Sequence, residues 1–227
     1  MSHKIKLSAA FLFVITTISI AGPSHAQKMA EQGDAAAQFN LGQAYALGNG
    51  VKQDNEAAAK WWRKAADQGY AEAQFSLGIA YHLGIGVKID DQEAVKWYTK
   101  AADQGDAKMQ DRLGDIYHDG NDLPKDYKQA AYWWRKAAEQ GNVLAQFSLG
   151  SAYSEGRGVA KNNKEAFKWY GKAAEQGSFL AQYDLANAYH LGVGVKKDDK
   201  EAINWYQKAA AQNYAPAKKT LEKLLKK

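Results

Sequence analysis

The apolar and polar positions of this chain repeat on two length scales. On the short scale Ala37, Leu41, Ala44 and Tyr45 recur at steps of three and four, which lays an apolar stripe along one face of a helix. On the long scale the pattern returns every 36 residues, in five units that start at Gly33, Gly69, Gly105, Gly141 and Gly177 and end at Gln212. A Tyr recurs at Tyr45, Tyr81, Tyr117, Tyr153 and Tyr189, and a Trp at Trp61, Trp97, Trp133, Trp169 and Trp205, without a slip in register. A fixed period of this length means a stack of like supersecondary units, each hiding its apolar face against its neighbours. Such a stack offers a long surface rather than one deep pocket, so the pattern predicts a binding scaffold.

Each unit divides into two helices. Gly42, Gly78, Gly114 and Gly150 recur inside the first, with Ala186 in the fifth unit. A glycine within a helix costs about 1 kcal/mol relative to alanine, so its repetition predicts a close helix crossing. The loop that follows reads Gly-x-Gly-Val at Gly48–Val51, Gly84–Val87, Gly156–Val159 and Gly192–Val195. A phosphate-binding loop needs a strand before it and a third glycine opening the helix, and neither is present; these glycines are read as helix stops. The second helix starts at Asp90, Asp126, Asn162 and Asp198, each three residues before Glu93, Gln129, Glu165 and Glu201, a capping-box pattern with reciprocal bonds. It runs through paired aromatics such as Trp97-Tyr98 and stops at Gln104-Gly105. Rings held in strict register belong to a core rather than to a ligand array.

The pattern A-x-A-Q-F-x-L-G-x-A-Y-x-x-G-x-G-V followed by E-A-x-K-W-Y-x-K-A-A-x-Q-G, nearly complete over Ala73 to Val87 and Glu93 to Gly105, resembles the Sel-one-like repeat family, a relative of the tetratricopeptide repeat. The resemblance covers about four fifths of the chain. It implies an all-α, right-handed superhelical solenoid of antiparallel helix pairs, with the first helix of each pair on the concave side. It also implies adaptor roles in signalling and envelope processes, or in meeting host proteins. One exported branch, rich in disulfide-linked cysteines, is associated with penicillin binding, whereas this chain contains no cysteine. The expected units are 33–68, 69–104, 105–140, 141–176 and 177–212, after a remnant helix end at 27–32 and before a capping helix at 213–227 with a polar outer side.

The N-terminal 26 residues stand outside the repeats. Lys4 and Lys6 precede a largely apolar run from Leu7 to Ala21, and Ser24-His25-Ala26 supplies small residues before a cut, the arrangement of a secretory signal peptide cleaved after Ala26. The run is too short for a bilayer span of about 20 apolar residues and is broken by Thr16, Thr17 and Ser19. The expected location is periplasmic or secreted, with no integral membrane segment after cleavage. The net charge of +5 falls once Lys4 and Lys6 are lost, and much of the excess sits at Lys218, Lys219, Lys223, Lys226 and Lys227. No concentrated basic stripe lines a repeat face, which argues against a nucleic-acid partner.

With the first helices on the concave side, a freely varying stripe points at a partner. It reads Ala36, Asn40, Gln43, Leu47 in the first unit and Glu72, Ser76, Ile79, Leu83 in the second. The third has Lys108, Arg112, Asp115, Asp119, the fourth Leu144, Ser148, Ser151, Glu155, and the fifth Leu180, Asp184, Asn187, Leu191. Exposed Leu and Ile among charges suit a protein or peptide. The expected partner-binding residues are Glu72, Ile79, Lys108, Arg112, Asp115, Asp119, Leu144, Leu180 and Asp184, on a monomer without cofactor or metal. The third unit departs from the template, with Asp111 where Phe39, Phe75, Phe147 and Tyr183 stand elsewhere. Asp111, Asp115 and His118 share a helix face, and ion pairing with Lys108 and Arg112 is expected there rather than a cation site. His82, His118 and His190 are read as echoes of one repeat position. No catalytic residues are expected: there is no Cys, no Ser-x-x-Lys after residue 26 and no His-Glu-x-x-His, although a carboxylate pair is left open. The alternative to an adaptor is a cell-wall factor that recognises or modifies peptidoglycan or β-lactams.

Overall fold

In the second helix of every unit an Asp or Asn ahead of the first turn fixes where the helix begins. Asp54, Asp90, Asp126, Asn162 and Asp198 stand in extended backbone and their side chains accept amide hydrogens from the first turn. The reciprocal half of the expected capping box does not form. The amide of each cap residue donates instead to the carbonyl of the recurring Tyr (Tyr45, Tyr81, Tyr117, Tyr153, Tyr189), at 2.9 Å in every unit. The invariant Tyr therefore ties the end of one helix to the start of the next.

The computed structural model describes residues 23–120 and 123–225. It is all-α, an unbroken series of helix pairs. A leading helix, α1 (Pro23–Glu31), is followed by α2 (Ala35–Leu47) and α3 (Asn55–Asp67), α4 (Ala71–Leu83) and α5 (Asp91–Asp103), and α6 (Ala107–Asp119) and α7 (Tyr127–Glu139). Then come α8 (Val143–Glu155) and α9 (Asn163–Glu175), α10 (Phe179–Leu191) and α11 (Asp199–Ala211), and the closing α12 (Ala215–Leu225). Each helix packs on its neighbours in the chain, which makes the molecule a solenoid with a linear core.

That core explains the paired aromatics. The second ring of each pair (Trp62, Tyr98, Trp134, Tyr170, Tyr206) is buried in its own unit. A Cβ on Gly42, Gly78, Gly114 or Gly150 would stand within 2.7 Å of this ring, so the helical glycines are the close crossing their repetition predicts. The first ring reaches back: Trp97, Trp133 and Trp169 each join the cluster formed by the preceding unit. Trp61, preceded among the described residues by α1 alone, is only half-buried.

A ladder of glutamines runs beside the rings. Gln38, Gln74, Gln110, Gln146 and Gln182 are buried, and each donates at 3.0–3.2 Å to an alanine carbonyl (Ala30, Ala66, Ala102, Ala138, Ala174) of the preceding second helix or of α1. Each accepts in turn from the glutamine at the end of its own unit (Gln68, Gln104, Gln140, Gln176, Gln212), at 2.7–3.0 Å. Each of these carbonyls also accepts from the backbone amide of the glycine that opens the next unit, at 2.9–3.1 Å, so the glutamine is a second donor there and ties the units together at all five junctions.

The loops close the stack from the other side. Gly48, Gly84, Gly120, Gly156 and Gly192 are left-handed caps of the first helices. The second glycine has a different task. A Cβ on Gly86, Gly158 or Gly194 would fall within 2.1 Å of the backbone carbonyl of Asn55, Tyr127 or Asn163, in the first turn of the preceding second helix. At the far end Asn213 takes the left-handed conformation that glycine holds at the other unit starts, φ 66°. In α12, Leu221 and Leu224 pack on the last cluster while Leu225 faces solvent.

Candidate functional site

The variable stripe of the first helices lies outside the core: of its twenty positions only Ser76 is buried. Lys108 and Asp119 are exposed, and Leu144 and Leu191 show 65% and 68% of their surface, large values for leucine. Glu72, Ile79, Arg112, Leu180 and Asp184 are half-buried. Ile79 leans on the second cluster, and the Arg112 guanidinium lies 5.3 Å from the centre of the Phe75 ring, so both also serve the stack.

One column of the stripe is tied to the aromatic core. Trp134 Nε1 donates to Asp115 Oδ1 at 3.0 Å, Tyr170 Oη to Ser151 Oγ at 3.2 Å, and Tyr206 Oη to Asn187 Oδ1 at 2.6 Å. A buried Trp or Tyr needs an acceptor for its polar tip, and the stripe residue nineteen positions earlier supplies it. Asp115 thus serves Trp134 while one edge stays open to solvent. Burial of the surroundings pushes its carboxyl above the usual range, against the pull of the indole hydrogen bond.

The third unit does not form the ion pairs expected of it. Asp111 is buried and its Oδ1 has no hydrogen-bond partner, and neither it nor Asp115 pairs with Lys108 or Arg112. Arg112 is drawn over the Phe75 ring instead. Burial, reinforced by Asp115, pushes the Asp111 carboxyl up to about 7, with Arg112 opposing. His118 bonds to Asp119 at 2.9 Å and its ring lies 5.2 Å from that of Trp134. Among the described residues no group of three His, Cys, Asp or Glu side chains is placed to hold a metal ion. The repeat echo of the histidines has a structural reason: His82 bonds to Asp91 at 3.0 Å and His190 to Asp199 at 2.6 Å, each tying the two helices of its unit. The His190 bond holds the Asp199 carboxyl below its ordinary range.

The stripe residues of the last two units converge. Ser151 and Glu155 of α8 face Asp184, Asn187 and Leu191 of α10 across an open groove of about 480 Å³ whose floor is α9, with Asn163, Ala166, Phe167 and Tyr170. Phe147 and Val193 complete its apolar lining. Of the expected binding residues only Asp184 lies in this groove; Glu72, Ile79 and Lys108 belong to units further along the stack. The floor went unrecognised in the sequence because its aromatics follow the core template. One signal was present: Phe167 stands where the other units have Ala59, Val95, Ala131 and Ile203.

Glu155 is paired at the groove mouth with Arg157, at 2.7 Å. Asp184 has no such partner. Asn187 Nδ2 donates to its Oδ1 at 3.4 Å, no cation among the described residues comes within 4.0 Å, and burial raises its carboxyl above the ordinary range. A second hollow, on the opposite helices, is lined by Trp61, Lys60 and Lys64 of α3 with Gly86 and Val87 of the next loop. There Lys64 Nζ sits 3.9 Å over the Trp61 ring, a pairing repeated at Lys100–Trp97, Lys136–Trp133, Lys172–Trp169 and Lys208–Trp205. Five copies of one arrangement mark a feature of the template rather than a unique site.

Among the described residues no helix is long and apolar enough to cross a membrane. No curated protein sequence is similar enough to match the chain. Solved structures similar in both sequence and fold include the following two. A protective antigen present in uropathogenic Escherichia coli strains, displaying an SLR fold, is 41% identical with a TM-score of 0.79; the match covers 87% of this chain but only 42% of that one. A Sel1 repeat protein from Oxalobacter formigenes is 38% identical with a TM-score of 0.77, over 90% of this chain and 84% of that one. The model of the Sel1 repeat matches residues 35–70, 71–106, 107–142, 143–178 and 180–214, in step with the five units but phased about two residues later. Repeat by repeat and along most of its length, the chain belongs to the Sel1 repeat family.

Proposed function

We propose that this protein is an exported scaffold that holds a protein or peptide partner on the variable face of its first helices. The observation that carries this reading is the exposure of Leu144 and Leu191, at 65% and 68%, at two positions of that face that belong to none of the core clusters. Leu47 and Leu83, at the repeat position of Leu191, are exposed as well, and a row of open aliphatic side chains suits the apolar centre of an interface. The SLR fold of an antigen from a pathogenic E. coli supports a role at the cell envelope or outside it.

Export rests on the leader at residues 1–26, whose first 22 positions lie outside the described residues. A cut after Ala26 falls within α1 and keeps Ala30, which is buried and whose carbonyl accepts from Gln38 at 3.0 Å. The mature chain therefore retains the first rung of the glutamine ladder. The same template argues against catalysis, since five like units give no single set of acid, base and nucleophile.

The test is an affinity capture from envelope and culture-fluid fractions with the wild-type chain beside a Lys108→Glu, Leu144→Asp double variant. Both side chains are exposed, so the variant keeps its fold, as circular dichroism will verify. A partner held by the wild type and lost by the variant is the expected result. Equal capture by both would move the contact to another face.

A further inference from the structure

We infer that the groove between α8 and α10 is a pocket for one basic side chain, arginine or lysine, presented by an extended peptide. The inference deepens the scaffold reading and rests on it. Its basis is a mismatch in the groove: a half-buried carboxylate set among apolar groups, with no cation paired to it among the described residues. Asp184 sits on the α10 wall with only a 3.4 Å bond from Asn187, while Glu155 at the mouth is already neutralised by Arg157 at 2.7 Å. An anion so placed has lost part of its hydration and gains most from a cation brought in by a ligand. The Tyr206 hydroxyl donates to Asn187 Oδ1 at 2.6 Å and fixes the orientation of this amide, whose Nδ2 reaches Asp184 only at 3.4 Å.

The rest of the lining fits the body of the same side chain. Phe147 and Leu191 flank the approach, and the Phe147 ring packs against Tyr170 at 5.7 Å between centres, which leaves aromatic surface for the methylene stem or the guanidinium plane. The groove, about 480 Å³, is of a size that takes a ligand group and its neighbours. The fifth unit is the one place where this column of the stripe carries an acid: its counterparts are Asn40, Ser76, Arg112 and Ser148. Charge complementarity thus favours a cationic residue flanked by aliphatic ones over an acidic or purely apolar peptide.

The experiment uses the purified mature chain and the fluorescein-labelled pentapeptide Ala-Leu-Arg-Leu-Ala, with citrulline or glutamate replacing the arginine in two controls. Fluorescence anisotropy is expected to show the arginine peptide bound at least tenfold more tightly than the citrulline peptide, with the advantage shrinking as salt rises. Asp184→Asn keeps the size of the side chain and is expected to erase that advantage. Glu139→Gln, which removes an exposed carboxylate on the second helix α7, off the stripe and outside the groove, is expected to leave it intact. Equal affinity for arginine and citrulline peptides, no binding of either, or equal losses in both variants would overturn the pocket. These failures are separable from failure of the scaffold reading, because the capture variant changes Lys108 and Leu144, outside the groove: a partner lost there with no arginine preference here would leave the scaffold standing without this pocket.

Discussion

Asp111→Phe is expected to raise the melting temperature at pH 8 by roughly 6 to 10 °C, which corresponds to about 3 kcal/mol for a chain of this size. Asp111 is buried, its Oδ1 has no partner, and its carboxyl is pushed up to about 7. At pH 8 the folded protein must hold that carboxylate charged in a place that disfavours charge. A phenylalanine there restores the template. The other units hold Phe39, Phe75, Phe147 and Tyr183 at this position, and the first unit shows that phenylalanine coexists with a buried Trp, since Phe39 and Trp62 show 3% and 0% of their surface. The sign of the pH dependence follows from the raised value. An unfolded Asp titrates near pH 4, so between about 4 and 7 the folded state binds the extra proton and stability falls as pH rises. Above about 7 both states are ionised and the loss is complete. Asp115 and Asp184, also raised by burial, act in the same direction. Thermal melts of the wild type from pH 4 to 8 are expected to show this decline, Asp111→Asn to flatten it, and Asp111→Phe to lie above both at pH 8. A wild-type profile no steeper than that of Asp111→Asn would mean the buried carboxyl does not govern stability.

Gly158→Ala is expected to cost about 3 kcal/mol or more, against roughly 1 kcal/mol for Gly141→Ala. Both glycines have positive φ, 72° and 92°, so both substitutions place alanine in left-handed backbone. They differ in what the new methyl meets. At Gly141 nothing lies within 4 Å, whereas at Gly158 the Cβ would stand 1.8 Å from the backbone carbonyl oxygen of Tyr127. No side-chain rotation relieves a clash with a carbonyl at the start of α7, so the loop must lift from the preceding unit. Urea melts of the two variants isolate this contact, because the cost of positive φ is common to both. Equal losses would show that the loop moves aside freely and that the second glycine is not required by stacking.

The fold was legible because the template is written five times. Register alone gives the helix pairs, the close crossing at Gly78 and the caps at Asp90 and its equivalents, and all three follow from local chemistry. The reciprocal capping bonds were not legible, since the competing acceptor, the carbonyl of Tyr81, lies in a different helix. Gln74 and Gln104 were visible as repeating letters, but their bond to each other at 2.7 Å depends on the superposition of two helices. The candidate site was harder still. The stripe is a face of one helix and can be counted along the chain, whereas the groove takes its walls from α8 and α10 and its floor from α9. Asp115 and Asp184 look alike in sequence; only the structure shows that one is bonded to Trp134 and the other faces a groove without a cation from the described residues.

The central claim is that partners meet the first-helix face, and site-specific photo-cross-linking tests it most directly. A photoreactive phenylalanine would be placed singly at Leu144, Leu191 or Lys108 on that face, and at Lys60, Lys96 or Lys168, exposed on second helices. Irradiated in cells producing the full chain, the first three positions are expected to give partner adducts and the second three none. Adducts confined to Lys60, Lys96 and Lys168 would contradict the account and place the binding surface on the opposite side of the stack.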